Sequence, residues 1–100
     1  EAESRLLNAM VKAGLTPLAK VDVEGFELDF VIMHNGRKID LEVDGDQHFD
    51  ANRQQCRQDL IRDRVIRRAG WEVLRYPAWR CFVEPERVVS EISVHLDAHH

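Results

Sequence analysis

One hundred residues make one domain with a single core and leave no room for a second. The chain is 44% hydrophobic, ordinary for a globular protein, and no apolar run approaches the roughly 18 residues of a membrane span. No charged-then-apolar leader precedes the first helix, so secretion and membrane insertion lack support and a cytoplasmic protein is expected. The net charge of −4 hides an asymmetry: residues 1–50 carry eleven acids against five Lys or Arg, whereas residues 51–80 carry eight Arg against three acids. A fold that sets an acidic cluster beside a basic stripe can hold a cation with one and a polyanion with the other. Cys56 and Cys81 lack CxxC spacing, which argues against a zinc site or a disulfide framework and for reduced, structural thiols.

From Ala2 to Ala13, Leu6, Leu7, Met10 and Val11 recur at helical spacing, and Gly14 stops the helix. After Thr16-Pro17, Leu18 to Val23 alternates loosely as an edge strand, and Glu24-Gly25 turns the chain. Phe26 to Met33 begins as an alternation and ends as an apolar run, the pattern of a strand entering a core. Asn35-Gly36 is a strong two-residue hairpin signal and joins this strand to an antiparallel one, Lys38 to Val43. A polar loop from Asp44 to Asp50 leads to a helix over 51–69 that Gly70 caps. Trp71 to Tyr76 alternates as a strand, Pro77 ends it, and Glu84-Pro85 opens a last helix through Leu96. The order α-β-β-β-α-β-α predicts an α/β protein of the α+β type with a mixed sheet, one domain over 1–97 and a tail at 98–100.

Two acidic clusters, Glu27-Leu28-Asp29-Phe30 and Glu42-Val43-Asp44-Gly45, place Asp29 and Glu42 among apolar neighbours, where ionised carboxylates need compensation. The tight hairpin sets the two on neighbouring strands, so both can approach one ion. A divalent cation is the simplest compensation, and oxygen ligands suit Mg²⁺ or Mn²⁺. In the helix over 51–69, Arg53, Arg57, Arg64, Arg67 and Arg68 fall within a wedge of roughly 100°, with Ile61, Val65 and Ala69 as a separate packing stripe. Guanidinium forks match phosphate oxygens, so this face reads as a surface that tracks a nucleic-acid backbone, which Arg75 and Arg80 extend. A solvated face is the plainer reading of such a stripe. Asp63 has an easy structural use, pairing with Arg67, and Asp59 can pair with nearby arginines. Trp71, Trp79, Phe82 and Phe49 are expected to pack, with Trp79 or Phe49 as alternatives for stacking on a base. His95, His99 and His100 are terminal residues with little support as ligands.

Glu3-x-x-Leu6, Leu28-Asp29-Phe30, Leu41-Glu42-Val43-Asp44-Gly45 with His48 beyond it, and Arg62-Asp63 leading to Gly70-Trp71-x-Val73-Leu74-Arg75 follow one another with characteristic gaps. In this order they resemble the PD-(D/E)XK nuclease superfamily and, within it, the small very-short-patch-repair (Vsr)-like endonuclease domains. The resemblance spans nearly the whole chain and implies a restriction-endonuclease-like core. It implies Asp29 and Glu42 as metal ligands, the backbone carbonyl of Val43 as a further oxygen, and Glu3 as a group that orients a metal-bound water. The superfamily motif ends in Lys two residues after the Glu, where this chain has Asp44. Relatives with this replacement carry a His just beyond, here His48, and an Asp in the following helix, here Asp59, which stays open between catalysis and structure. Asp44 then reads as an outer ligand or water-positioning base, or as a turn residue, and His48 as acid, base or phosphate contact.

The resemblance thus implies a Mg²⁺-dependent endonuclease that cuts DNA, with Mn²⁺ able to substitute. Opening on Glu1 rather than Met fits a processed chain or a domain of a longer protein, working beside a helicase or targeting partner; a dimer is one possible state. The alternative, motivated by the missing Lys, is a nucleic-acid-binding module on the same fold that has lost catalysis. An interaction domain that binds no nucleic acid stands last, because it leaves the arginine stripe without a purpose.

Overall fold

A computed structural model of the chain describes residues 1–45 and 53–98, with the backbone alone over 53–58. The elements run α1 (Ala2–Lys12), β1 (Leu18–Val23), β2 (Phe26–His34), β3 (Arg37–Asp44), α2 (Arg53–Arg68), β4 (Trp71–Pro77), α3 (Ala78–Val83) and α4 (Pro85–Ala98). The expected order is present with one addition, α3. Six residues hold less than two turns, too few for a helical period to show in sequence. Pro77, with its extended backbone, stands at the N-cap of α3 and joins it directly to β4.

Both two-residue turns make hairpins of the kind whose twist suits the flanking strands. Glu24 and Gly25 (φ 52° and 84°) close β1 on β2 at Val23–Phe26, and Asn35 and Gly36 (φ 49° and 79°) close β2 on β3 at His34–Arg37. The sheet order is β1-β2-β3-β4. The first three strands are antiparallel, and β4 returns parallel to β3 after the α2 crossover, pairing Glu42 with Arg75 and Asp44 with Pro77.

The two faces of the sheet differ. On one, Phe30, Ile32, Ile39 and Leu41 pack against Leu6 and Met10 of α1, Cys81 of α3, and Val88, Ile92 and Leu96 of α4. Each such side chain contributes about 1.5–3 kcal/mol when fully buried, so this layer carries most of the apolar stabilisation. The α2 face has a smaller cluster, in which Leu28, Val31 and Ile66 are buried with Trp71 and Val73 alongside. Beyond it the space between helix and sheet is filled by charge: Asp40, Glu42, Asp44 and Asp63 are all buried.

This charged layer overturns the expected packing stripe on α2. Ile61 is 55% exposed, whereas Asp63 and Ile66 are buried. The inward face is Asp59, Arg62, Asp63 and Ile66, at positions i, i+3, i+4 and i+7, with polar residues at three of the four. A search for apolar periodicity is blind to it. Trp79, expected to pack, is instead 56% exposed.

Candidate active site

The functional cleft opens where the β2–β3 ladder stops. The last paired position is Phe30–Leu41, and the hairpin register places Asp29 opposite Glu42 one step further on. There the side chains take over from the backbone. The Asp29 N–H donates to Glu42 Oε2 (3.2 Å), and the Val43 N–H donates to Asp29 Oδ2 (2.9 Å). The strands remain tied although no carbonyl completes the ladder. The resulting cleft, of about 650 Å³, is lined by Glu3, Asp29, Glu42, Asp44, Asp59, Arg62 and Arg75, among others.

Strand geometry explains the acidic wall. Asp40, Glu42 and Asp44 alternate along β3 and therefore share the face turned to α2. Arg62 meets them from the helix, with Nη2 donating to Glu42 Oε2 (2.6 Å) and Nη1 lying 3.5 Å from Asp40 Oδ2 and 3.1 Å from Asp63 Oδ1. From β4, Arg75 makes a fork on Asp63 (Nε to Oδ2, 2.9 Å; Nη2 to Oδ1, 2.6 Å) and donates through Nη1 to Asp44 Oδ1 (2.6 Å). Four buried carboxylates thus share two guanidiniums. Asp40 Oδ1 is buried with no hydrogen-bond partner among the described residues.

The imbalance appears in the titration of the site. Burial, reinforced by the neighbouring Asp40 carboxyl, pushes Glu42 up to about 8 even with Arg62 in contact. Burial also raises Asp29, to about 6, against the lowering effect of the Val43 N–H, and it raises Asp40. Asp63 moves the other way, because its bonds to Arg75 and the adjacent guanidiniums outweigh its desolvation. The acidic wall therefore splits between Asp63, held as an anion by Arg75, and Glu42, which keeps its proton at neutral pH.

The structure brings together Glu3, Asp29, Glu42, Asp44 and Asp59 on one cleft, with Val43 on its lining. Asp63 pairs with its neighbour Arg62 and with Arg75 of β4. Arg64, Arg67 and Arg68 are exposed, on the side of α2 turned away from Arg62 and Ile66. Arg75 and Arg80 do not extend this stripe, since Arg75 is held by Asp63 and Asp44, and Arg80 by Glu84 and Glu91. His48, Phe49 and the side chains of Arg53, Cys56 and Arg57 lie outside the described residues. Asp40 and Arg62 take part without an expected role, and Arg75 serves the acidic wall instead of the basic stripe. The period of two through Asp40-x-Glu42-x-Asp44 is the signal that points to the first.

Among the described residues no three His, Cys, Asp or Glu side chains form a ready-made metal cage. The donor set nonetheless fits Mg²⁺ or Mn²⁺, which take one or two carboxylates and complete their shell with water and phosphate. Asp29 and Glu42 are joined through each other's strands, and they stand in a cleft whose carboxylates outnumber its guanidiniums.

One further cation meets two of the cleft's carboxylates from the sheet edge. Lys20 stands in β1 opposite Asp29, between the paired positions Ala19–Phe30 and Val21–Leu28. Its Nζ lies 2.9 Å from Glu3 Oε1 and 3.7 Å from Asp29 Oδ1, and the Glu3 bond raises its pKa. Lys20 has φ 56°, and among the described residues no other non-glycine outside the two hairpin turns has a positive φ. That conformation costs about 1–3 kcal/mol, more than the roughly 0.2–1 kcal/mol that an exposed ion pair returns.

No match exists among curated proteins. Among solved structures, the catalytic domain of the homing endonuclease I-Bth0305I is similar, with a TM-score of 0.71 at 14% identity over 98% of this chain and 95% of that one. At that identity the likeness speaks for the fold, a restriction-endonuclease-like core. A family model matches residues 3–96, nearly the full length and including every carboxylate and guanidinium named in the cleft, so this chain belongs to the REase_MTES_1575 family of restriction-endonuclease-like domains.

Proposed function

We propose that the domain is a metal-dependent endonuclease that hydrolyses phosphodiester bonds in DNA, in the manner of the Vsr-like enzymes and within a larger DNA-processing assembly. The observation that carries this reading is the charge imbalance of the cleft, where Asp40, Glu42, Asp44 and Asp63 are buried against Arg62 and Arg75, and Glu3, Asp29 and Asp59 line the same space. Family membership and the endonuclease activity named for the similar catalytic domain support it.

In the reaction, a water oxygen adds to phosphorus and one P–O ester bond breaks. The water's proton ends on the leaving oxygen, giving a phosphomonoester and an alcohol. Asp29 and Glu42 would hold Mg²⁺ or Mn²⁺, and the Val43 carbonyl would offer a further oxygen. Such an ion, when bound, draws in a phosphate oxygen, acidifies water and offsets the charge that develops. Glu42 would bind such an ion as the carboxylate, and Arg62 keeps one of its oxygens oriented. Glu3 and Asp59 accept hydrogen bonds from water in the cleft, and Asp44, oriented by its bond from Arg75, can position water. His48 supplies proton transfer from the following segment.

Incubation of the purified domain with supercoiled plasmid in Mg²⁺ or Mn²⁺ is expected to give nicked circles, and Asp29→Ala or Glu42→Ala to reduce the rate at least about 100-fold, the scale of an essential catalytic group. Equal cleavage by both variants would sink the assignment. A catalytically inactive DNA-binding module is the second reading, favoured by the 2.6 Å pairing of Arg62 with Glu42, which satisfies a ligand oxygen without a metal. Calorimetry separates the two: Mn²⁺ binding that disappears in Asp29→Ala supports the nuclease, and absence of binding supports the module.

A further inference from the structure

We infer that Lys20 supplies the basic group of this cleft, contacting the scissile phosphate and the attacking water from the β1 side. The inference rests on the endonuclease reading above and assigns a catalytic residue to it. The two guanidiniums that line the cleft are committed to buried carboxylates: Arg62 to Glu42, Asp40 and Asp63, and Arg75 to Asp63 and Asp44. Position 44, two residues after Glu42, carries an acid that Arg75 neutralises, so no cation projects from β3 toward the substrate.

Lys20 fills that gap from another strand. It stands directly across from Asp29, and its ammonium bridges Asp29 and Glu3, the carboxylates contributed by β2 and α1. Its side chain is half exposed, so a phosphate entering the cleft can reach it. Its left-handed backbone lies within a strand, where neither a hairpin turn nor a glycine accounts for it. The exposed ion pair is too weak to account for that conformation, which points instead to a function for the side chain's direction. A compact ammonium with three donors can bind a phosphate oxygen and a water while remaining beside a carboxylate. Lys20 stays protonated throughout; its part is to offset charge on the phosphate and to hold the water between Glu3 and Asp29, with no proton transfer asked of it.

The test uses Lys20→Asn, because Asn adopts the left-handed conformation readily while the ammonium is removed, together with Lys20→Arg and Lys20→Gly. Plasmid nicking is followed over a range of DNA and Mn²⁺ concentrations, with thermal melting to verify folding. Lys20→Asn and Lys20→Gly are expected to lower kcat at least about 100-fold, with KM for DNA and the Mn²⁺ activation midpoint within threefold of the parent, and Lys20→Arg to recover at least a tenth of the lost rate. If Lys20 merely occupies the metal's place, Lys20→Asn instead keeps kcat and needs less Mn²⁺, which overturns the inference. Parent-like kcat in both uncharged variants, with Asp29→Ala inactive, overturns it while leaving the endonuclease reading intact. A parent chain that cuts no DNA overturns both.

Discussion

Glu42 has the most demanding surroundings of any carboxylate in the cleft. It is 7% exposed, two residues from the fully buried Asp40 on the same strand face, and its single guanidinium partner also serves Asp40 and Asp63. Near neutral pH the protonated form is favoured, with a pKa of about 8. An amide should then mimic the resting side chain closely. Glu42→Gln is expected to melt within a few degrees of the parent at pH 6 and above it at pH 9, where the parent must bury the anion. Melting curves in EDTA across this range check the claim, and parallel pH dependence in the two proteins would refute it. Asp29 and Glu42 were readable from sequence because Asn35-Gly36 sets the hairpin register, and register alone decides which residues stand opposite. Lys20 was not readable as a partner. A left-handed residue within β1 follows from no propensity of lysine.

At the scale of elements, α2 joins two jobs that the sequence pattern keeps apart. Its inward face carries Asp59, Arg62, Asp63 and Ile66, and its outward face carries Arg64, Arg67 and Arg68 with the exposed Leu60 and Ile61. The inward charges are bound into the sheet through Arg75, so the helix is held over β3 and β4 largely by ion pairs. Removing one partner of such a buried pair typically costs about 3–5 kcal/mol. The outward arginines lack that structural commitment and suit contact with a duplex backbone running outside the cleft. Replacing Arg64, Arg67 and Arg68 by Gln is expected to reduce the slope of log affinity for DNA against log salt by up to about 2.7, at roughly 0.9 per phosphate contact. Fluorescence anisotropy at several salt concentrations measures it, and an unchanged slope would assign the stripe to solvent. Apolar periodicity pointed to the wrong face of this helix, because three of its four inward positions are charged.

For the whole molecule, the raised carboxylates link stability, pH and metal. A carboxyl whose pKa is raised by folding contributes stability that is fully present below the ordinary carboxylate range and is lost as pH rises through the folded value. With Asp29 at about 6 and Glu42 at about 8, the metal-free domain is expected to lose stability progressively from about pH 4 to about pH 8. Glu72, lowered to about 2 by Arg37 and His95 at the other end of the sheet, acts in the opposite sense, but only at acid pH. A divalent cation bound by Asp29 and Glu42 displaces their protons, so Mn²⁺ should stabilise the domain more at pH 8 than at pH 6 and release protons near neutrality. Calorimetry in two buffers of different ionisation enthalpy counts those protons. A binding heat independent of buffer would exclude Glu42 from the ligand set.

The sequence by itself determined the element order but for α3, both hairpins and the meeting of Asp29 with Glu42. These follow from local rules, namely turn chemistry, strand alternation and helical period, each acting over a few residues. The tertiary structure decided the rest. Pairing β4 parallel to β3 set Arg75 beside Glu42 and within reach of Asp44, and docking of α2 brought Arg62 and Asp63 onto the acidic wall. Lys20 met Glu3 only through the packing of α1 on the sheet edge. Charges buried together compensate one another across elements far apart in the chain, and the energy of that compensation leaves no local trace in the order of residues.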